Sequence, residues 1–213
     1  MTRGIGRGGG SNVPTPSRRH VFGVAVSLGD AESVSSMLAA HPEFLQGSDG
    51  EPPALHLAAA SVHLGVLEAV LAAGADVSAT TVEGETALHL ASAAGSSEGV
   101  RRLVAAGLSP GLGDVSGRTA LHRAAAALRR ENIAALLESG ADANARAADG
   151  STPLLAAVRP PVAASAWLAG FESVSTAAGP HRLEAVSALL SGGADPNLGD
   201  GIGTPLAAAL GYE

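Results

Sequence analysis

Three histidines, His56, His89 and His122, sit inside near-identical phrases of alanine and leucine: PALHLAAASV from Pro53, TALHLASAAG from Thr86 and TALHRAAAAL from Thr119. An imidazole can act as a general base, as a metal ligand or as a neutral hydrogen-bonding part of a scaffold. Their spacing separates these roles, because the step from 56 to 89 equals the step from 89 to 122. A catalytic base is rarely needed three times at a fixed pitch, whereas a unit that stacks on copies of itself needs the same residue in every copy. A metal would need the imidazoles to converge. A repeat pitch instead puts them in successive packed layers, roughly 10 Å apart. The scaffold role fits.

Two further motifs suggest chemistry. Gly107-Leu108-Ser109-Pro110-Gly111 matches the G-x-S-x-G pattern of a nucleophile elbow, which needs a strand before it and a helix after it. Here it follows the end of a helical pattern and enters a turn, so the match is read as accidental. GIGRGGG at Gly4–Gly10 resembles a phosphate-binding loop but has no strand ahead of it, and it reads as a flexible tail. Cysteine is absent, which excludes disulfides and thiolate metal sites. No base, nucleophile and oxyanion donor can be placed together. The expectation is no catalytic residue, no cofactor and no metal.

The elements that position the histidines follow from the same grid. His20, Pro53, Thr86, Thr119 and Thr152 are separated by that same step. Each anchor from Pro53 onward opens a segment reading small–small–Leu and then alanine-rich sequence. Further along come Val34, Leu67, Val100 and Ile133 in one column and Leu38, Leu71, Val104 and Leu137 in another. Four apart within each unit, these two columns predict one apolar helix face. Gly74, Gly107 and Gly140 stand three residues beyond and predict the helix ends. The pairs Glu83-Gly84, Ser116-Gly117 and Asp149-Gly150 then suit tight hairpin turns. Hydrophobic residues make up 46% of the chain but aromatics only 2%, so the core must be Ala, Leu and Val, which suits closely packed helices.

On these phrases the chain resembles the ankyrin-repeat family, whose pattern runs G-x-T-P-L-H-x-A-A, Gly-His, V-x-x-L-L-x-x-G-A-D-x-N. TALHLASAAG with VRRLVAAG, TALHRAAAAL with IAALLESGADAN, and STPLLAAV with VSALLSGGADPN carry the likeness. The resemblance implies an all-α solenoid, with helix-turn-helix units joined by hairpin-like loops, over residues 20–213. Units are expected to start near 20, 53, 86, 119, 152 and 204, about five and a partial sixth, behind a Gly/Arg/Pro-rich tail at 1–19. It also implies roles for the motif residues His56, Thr86, His89, Thr119, His122 and Thr152: the histidine bonds backbone between units, and the threonine ties down the first turn.

Departures from the pattern carry expectations of their own. The first unit, His20–Gln46, lacks the TPLH phrase and looks like an N-terminal cap, with Phe22 and Phe44 leaving the polarity of its outer face open. Pro53-Ala54 replaces Thr-Pro in the second, removing the hydroxyl. The third ends GLSPG, which puts its hairpin in doubt. In the fifth, Leu155 replaces His, and about twenty residues, roughly 161–180, are inserted between its helices. The insert holds Trp167 and Phe171, four apart, either buried against the array or offered to a partner. The sixth unit stops within its first helix, where Leu206 and Leu210 are expected to dock.

Charge narrows the partners. Arg3, Arg7, Arg18 and Arg19 stand in the first nineteen residues without an acid, leaving nine basic residues (13 less these four) against 20 acidic ones. A body this acidic is repelled by phosphate backbones, so nucleic-acid binding by the folded part is not expected. Mean hydropathy is +0.25, but the most apolar stretch, Ala54–Ala75, contains His56, His63 and Glu68 and reads as two short helices, not a membrane span. The expectation is a monomeric, non-enzymatic cytoplasmic protein, with the nucleus also open, that binds another protein. The family likeness places contacts at Asp49, Glu83, Glu85, Ser116, Arg118, Asp149 and Ser151 on the hairpins and Ser61, Ala94 and Ala127 on helices, facing a basic partner surface. The competing expectation is a regulatory or targeting arm of a longer enzyme or ubiquitin-ligase adaptor.

Overall fold

The computed structural model describes residues 18–47, 52–159 and 179–210. Within them the chain forms eleven α-helices and no β-strand, only isolated bridges between Thr80 and Thr86 and between Gly113 and Thr119. The helices pair as α1 (Arg18–Leu28) with α2 (Ala31–Ala40), α3 (Ala54–Ala60) with α4 (Leu64–Ala72), and α5 (Ala87–Ala94) with α6 (Ser97–Ala105). Next come α7 (Ala120–Ala126) with α8 (Arg130–Glu138), then α9 (Pro153–Val158) with α10 (Gly179–Ser191), and α11 (Pro205–Leu210) follows them. First helices stack on first helices in one row, and second helices on second helices in another.

Local chemistry sets the boundaries. Asp30 starts α2 by accepting from the Ser33 N–H at 3.0 Å, and Ser96 starts α6 by accepting from Gly99 at 3.1 Å. Gly74, Gly107 and Gly140 end α4, α6 and α8 with φ of 85°, 104° and 85°. The next residue in each case folds back, Ala75 N–H to Val70 O, Leu108 N–H to Leu103 O and Ala141 N–H to Leu136 O, satisfying a carbonyl the helix leaves free. This explains why GLSPG does not disturb the third unit. Leu108 makes the same closing bond and is itself buried, and the hairpin behind it forms.

Packing corrects one periodicity expectation. Val34, Leu67, Val100 and Ile133 are buried as anticipated, but Leu71, Val104 and Leu137 are only half-buried. The fully buried partners lie one residue earlier, at Val70, Leu103, Leu136 and Leu189. Spacings of three and four both fall on one helix face. From the second unit on, the i+3 column fills the core and Leu137 of the i+4 column meets the following unit at the backbone of Gly192, whereas in the first unit Leu38 of the i+4 column is buried as anticipated and Met37 is half-buried. Leu55, Leu88, Leu121 and Leu154 of the first helices are at most 2% exposed, each worth about 1.5–3 kcal/mol of burial. Small residues bring neighbours within a row close: a Cβ at Gly95 would lie 2.6 Å from the Ala59 carbonyl oxygen, so glycine is required where the end of α5 passes α3.

The ends of the array also shift. α1 begins at Arg18, so Arg18 and Arg19 belong to the fold and not to the tail. The Arg19 guanidinium donates to the carbonyls of Gln46 and Pro52, both at 3.1 Å, and lies over the Phe44 ring. Phe22 and Phe44 turn inward, their rings 5.4 Å apart, and the outer side of this unit exposes Val21 and Leu28 instead. α10 begins at Gly179, and nearly all of the stretch expected as the insert lies outside the described residues.

Candidate functional site

Each hairpin is built by the same short code. The N–H of Thr81 bonds to the carbonyl of Glu85, that of Asp114 to Arg118, and that of Ala147 to Ser151. Gly84, Gly117 and Gly150, with φ of 73°, 71° and 80°, allow the reversal. Successive hairpins are then joined edge to edge, Val115 N–H to Glu83 O at 3.0 Å and Ala148 N–H to Ser116 O at 2.8 Å. The result is a continuous ribbon of turns along one side of the array.

The histidines anchor that ribbon to the helices. His89 Nε2 donates to the Arg118 carbonyl of the next hairpin at 2.9 Å, and His122 Nε2 to the Ser151 carbonyl at 3.1 Å. A carbonyl only accepts, so Nε2 carries the proton and Nδ1 is the acceptor. In His89 it takes the backbone N–H of Thr86 at 3.1 Å and faces the Thr86 hydroxyl at 2.9 Å. Thr119 repeats this with His122. His56 donates to the Glu85 carbonyl at 3.0 Å, but its Nδ1 has no partner, because Pro53 supplies neither N–H nor hydroxyl. Burial depresses the pKa of all three imidazoles, against the opposing pull of the carbonyls they bond. Where Leu155 replaces histidine, Thr152 caps the helix directly, its hydroxyl oxygen accepting from the Leu155 N–H at 3.3 Å.

The expected contact residues divide. Glu83, Ser116 and Asp149 are exposed on the hairpins. Arg118 and Ser151 are half-buried, the first paired with Asp114 at 3.0 Å and the second donating to Asp149 at 2.6 Å. Ala94 and Ala127 are exposed and Ser61 is half-buried. Glu85 does not fit the expectation: it is buried and ion-paired with Arg123 of α7, so it joins two units and is not offered to solvent. Asp49, Trp167 and Phe171 lie outside the described residues.

Several joints were not anticipated. Asn132 is buried, and its amide donates to the carbonyls of Ala91, Ser92 and Gly95 at 3.0–3.2 Å, closing the end of α5 against α8. Its grid column is otherwise Ser33, Val66 and Gly99, so an amide in a column that is buried in the later units was the available signal. Arg159 at the end of α9 pairs with Asp200, whose carboxyl this guanidinium holds down at about 2. The Asp114 carboxyl, which burial would raise, is instead held below its usual value by the N–H and guanidinium of Arg118 and the N–H of Ser116. Serine donors lower Asp76 and Asp149 in the same way.

Among the described residues no group of three or more His, Asp or Glu is placed to hold a metal, and no helix is long and apolar enough to cross a membrane. What this geometry offers is a surface, stacked helices edged by a ribbon of turns, of the kind that repeat proteins present to other macromolecules. A family model described as ankyrin repeats in three copies matches residues 22–114 and, overlapping, 55–147. These matches span more than half of the chain, which therefore belongs to the ankyrin-repeat family. Arrays of this family are generally protein–protein interaction modules and typically carry no enzymatic activity. No curated relative matches the chain.

Proposed function

We propose that this chain is a non-enzymatic binding module that holds a protein partner against the inner side of its first helices and the tips of its hairpins. The observation that carries this reading is the hairpin ribbon. Its joined turns align exposed apolar tips, Val82 at 93% and Val115 at 74% exposure, with the exposed carboxylates of Glu83 and Asp149. An apolar contact ringed by charge is the composition of a protein interface, and the carboxylates favour a basic partner surface. Asp76, Asp142 and Asp195, exposed where the second helices run into the following turns, extend the same sign.

A test uses the full chain with a photo-crosslinking side chain at Val82 or Val115, compared with one at the exposed Glu131 of α8, in cell extract. The partner should be captured from the two hairpin positions and not from Glu131. Glu83→Lys with Asp149→Lys should weaken capture and flatten its salt dependence. Capture from Glu131 alone would move the interface to the second helices and end this reading.

A second reading, a regulatory or targeting arm working beside further protein, draws on the other end. Leu206 is 59% exposed, although its grid equivalents Leu55, Leu88, Leu121 and Leu154 are buried, and Leu190 is 44% exposed. An apolar end of this kind favours a neighbour that covers it.

A further inference from the structure

A side of the first helices that is open to solvent carries another regular column. Val24, Leu57, Leu90 and Arg123 occupy the same place on α1, α3, α5 and α7, each one repeat after the last. Val24 is 43% exposed and Leu57 and Leu90 are half-buried, so all three present apolar surface to solvent. Two adjoining depressions follow the seam between α1 and α3. One, of about 340 Å³, is bordered by Val24 and Leu57; the next, of about 390 Å³, by Leu57, Ser27 and Ala60. A parallel column of small residues, Ser27, Ala60, Ala93 and Ala126, runs beside the first. At the fourth unit the apolar column stops, because Arg123 stands there paired with Glu85.

We infer that this strip receives an amphipathic α-helix of the partner, laid across the first helices with one leucine-sized side chain over each of the first three units and a polar residue over Arg123. The inference rests on the protein-binding reading above and supplies the chemistry of the occupant. Packed helices are 8–10 Å apart, and a helix advances about 10.5 Å in seven residues at 1.5 Å each. Residues i, i+7 and i+14 of the incoming helix therefore meet Val24, Leu57 and Leu90 in turn. An extended strand covers about the same distance in three residues, but its third side chain points to the opposite face. A polyproline helix keeps one face at about 9.3 Å per turn, yet it presents a single column, whereas this strip is two residues wide. The carboxylate of Glu83, exposed on the hairpin side, favours lysine or arginine along that flank of the incoming helix.

The experiment measures binding of a labelled synthetic peptide to the full chain by fluorescence anisotropy. The peptide has about 24 residues, enough to form helix in water. It carries leucine at every seventh position three times, glutamine at the fourth such position, alanine between and lysine along one flank. A second peptide of the same composition repeats leucine every fifth residue. The heptad peptide should bind at least tenfold more tightly. Leu57→Glu and Leu90→Glu should each weaken it about tenfold, with unchanged helical circular dichroism. Glu83→Lys should weaken it less and flatten its salt dependence. No binding of the heptad peptide, equal binding of both peptides, indifference to Leu57→Glu and Leu90→Glu, or equal binding of a polyproline peptide with leucine every third residue would each overturn the inference. Crosslinking from Val82 and Val115 reports separately, so a partner captured there without any of these responses leaves the binding module standing and removes only the helix.

Discussion

His56 lies as deep as His89 and His122 yet makes fewer bonds, since Pro53 offers no donor to its Nδ1. A buried acceptor left without a donor costs about 1–3 kcal/mol. Pro53→Thr restores the N–H and the hydroxyl found at Thr86 and Thr119. Against this gain stands the unfolded-chain entropy that proline removes, about 0.4–1 kcal/mol. The hydrogen bonds win, and Pro53→Thr should raise stability by about 1 kcal/mol in urea unfolding. In a His56→Leu background the gain should shrink, because leucine accepts nothing and the new hydroxyl is left only the helix cap that Thr152 makes with the Leu155 N–H; unit five, with Leu155 fully buried, shows that the site tolerates leucine. A gain undiminished with leucine would assign the whole effect to the helix cap and not to the imidazole. The same scale shows what the amino-acid sequence could and could not disclose. The equal intervals separated scaffold from catalysis for the histidines, but their partners are backbone carbonyls of the next hairpin, which side-chain identity does not encode. The burial of Glu85 is hidden for a similar reason: it depends on Arg123, on the first helix of the unit after the one its own hairpin opens.

At the level of the helices, threonine marks the starts of α5, α7, α9 and α11 and glycine the ends of α4, α6 and α8, because each performs a local task that needs no knowledge of the rest of the fold. What stayed hidden was which of two adjacent columns enters the core. That choice depends on the direction from which the next unit arrives, so spacing alone does not tell Leu103 and Leu136, which enter the core, from Val104 and Leu137 beside them. The start of α1 is not legible in the local residues because the task of Arg19 is to reach the carbonyls of Gln46 and Pro52 in the next stretch of chain. The sixth unit shows the converse case, correct local signals with little tertiary support. Thr204 caps α11 through the Ala207 N–H at 3.3 Å, yet Leu206 remains exposed. A helix of six residues cannot hold itself. In hydrogen exchange on the monomer, amides of α11 should exchange at least tenfold faster than those of α8 around Ile133–Leu137. Equal protection in the monomer would show that α11 needs no cover, and the second reading would lose its support.

Over the whole array, burial of three neutral imidazoles ties stability to pH. Their pKa values lie below the ordinary imidazole value of 6.5. Below pH 6.5 the unfolded chain therefore binds protons that the folded chain refuses, and the linkage favours unfolding as pH falls. The stability is fully present above about 6.5 and declines on acidification toward the depressed folded values. Aspartates such as Asp200, held at about 2, add their own loss only below about pH 4. The urea midpoint should thus fall between pH 7 and pH 5 with unchanged slope, and the fall should shrink in a His89→Leu, His122→Leu chain. A midpoint flat across that interval would mean that the imidazoles protonate freely in place. The joints themselves have a further consequence for how such a chain can be edited. Each histidine recognises a carbonyl oxygen of the following turn, a group that every amino acid carries, so the connection from one unit to the next does not ask which unit follows. Excising residues 86–118 would join Glu85 to Thr119 and still leave His56 its acceptor. The molecule is modular in length because the atoms that bind its parts together are the ones all residues share.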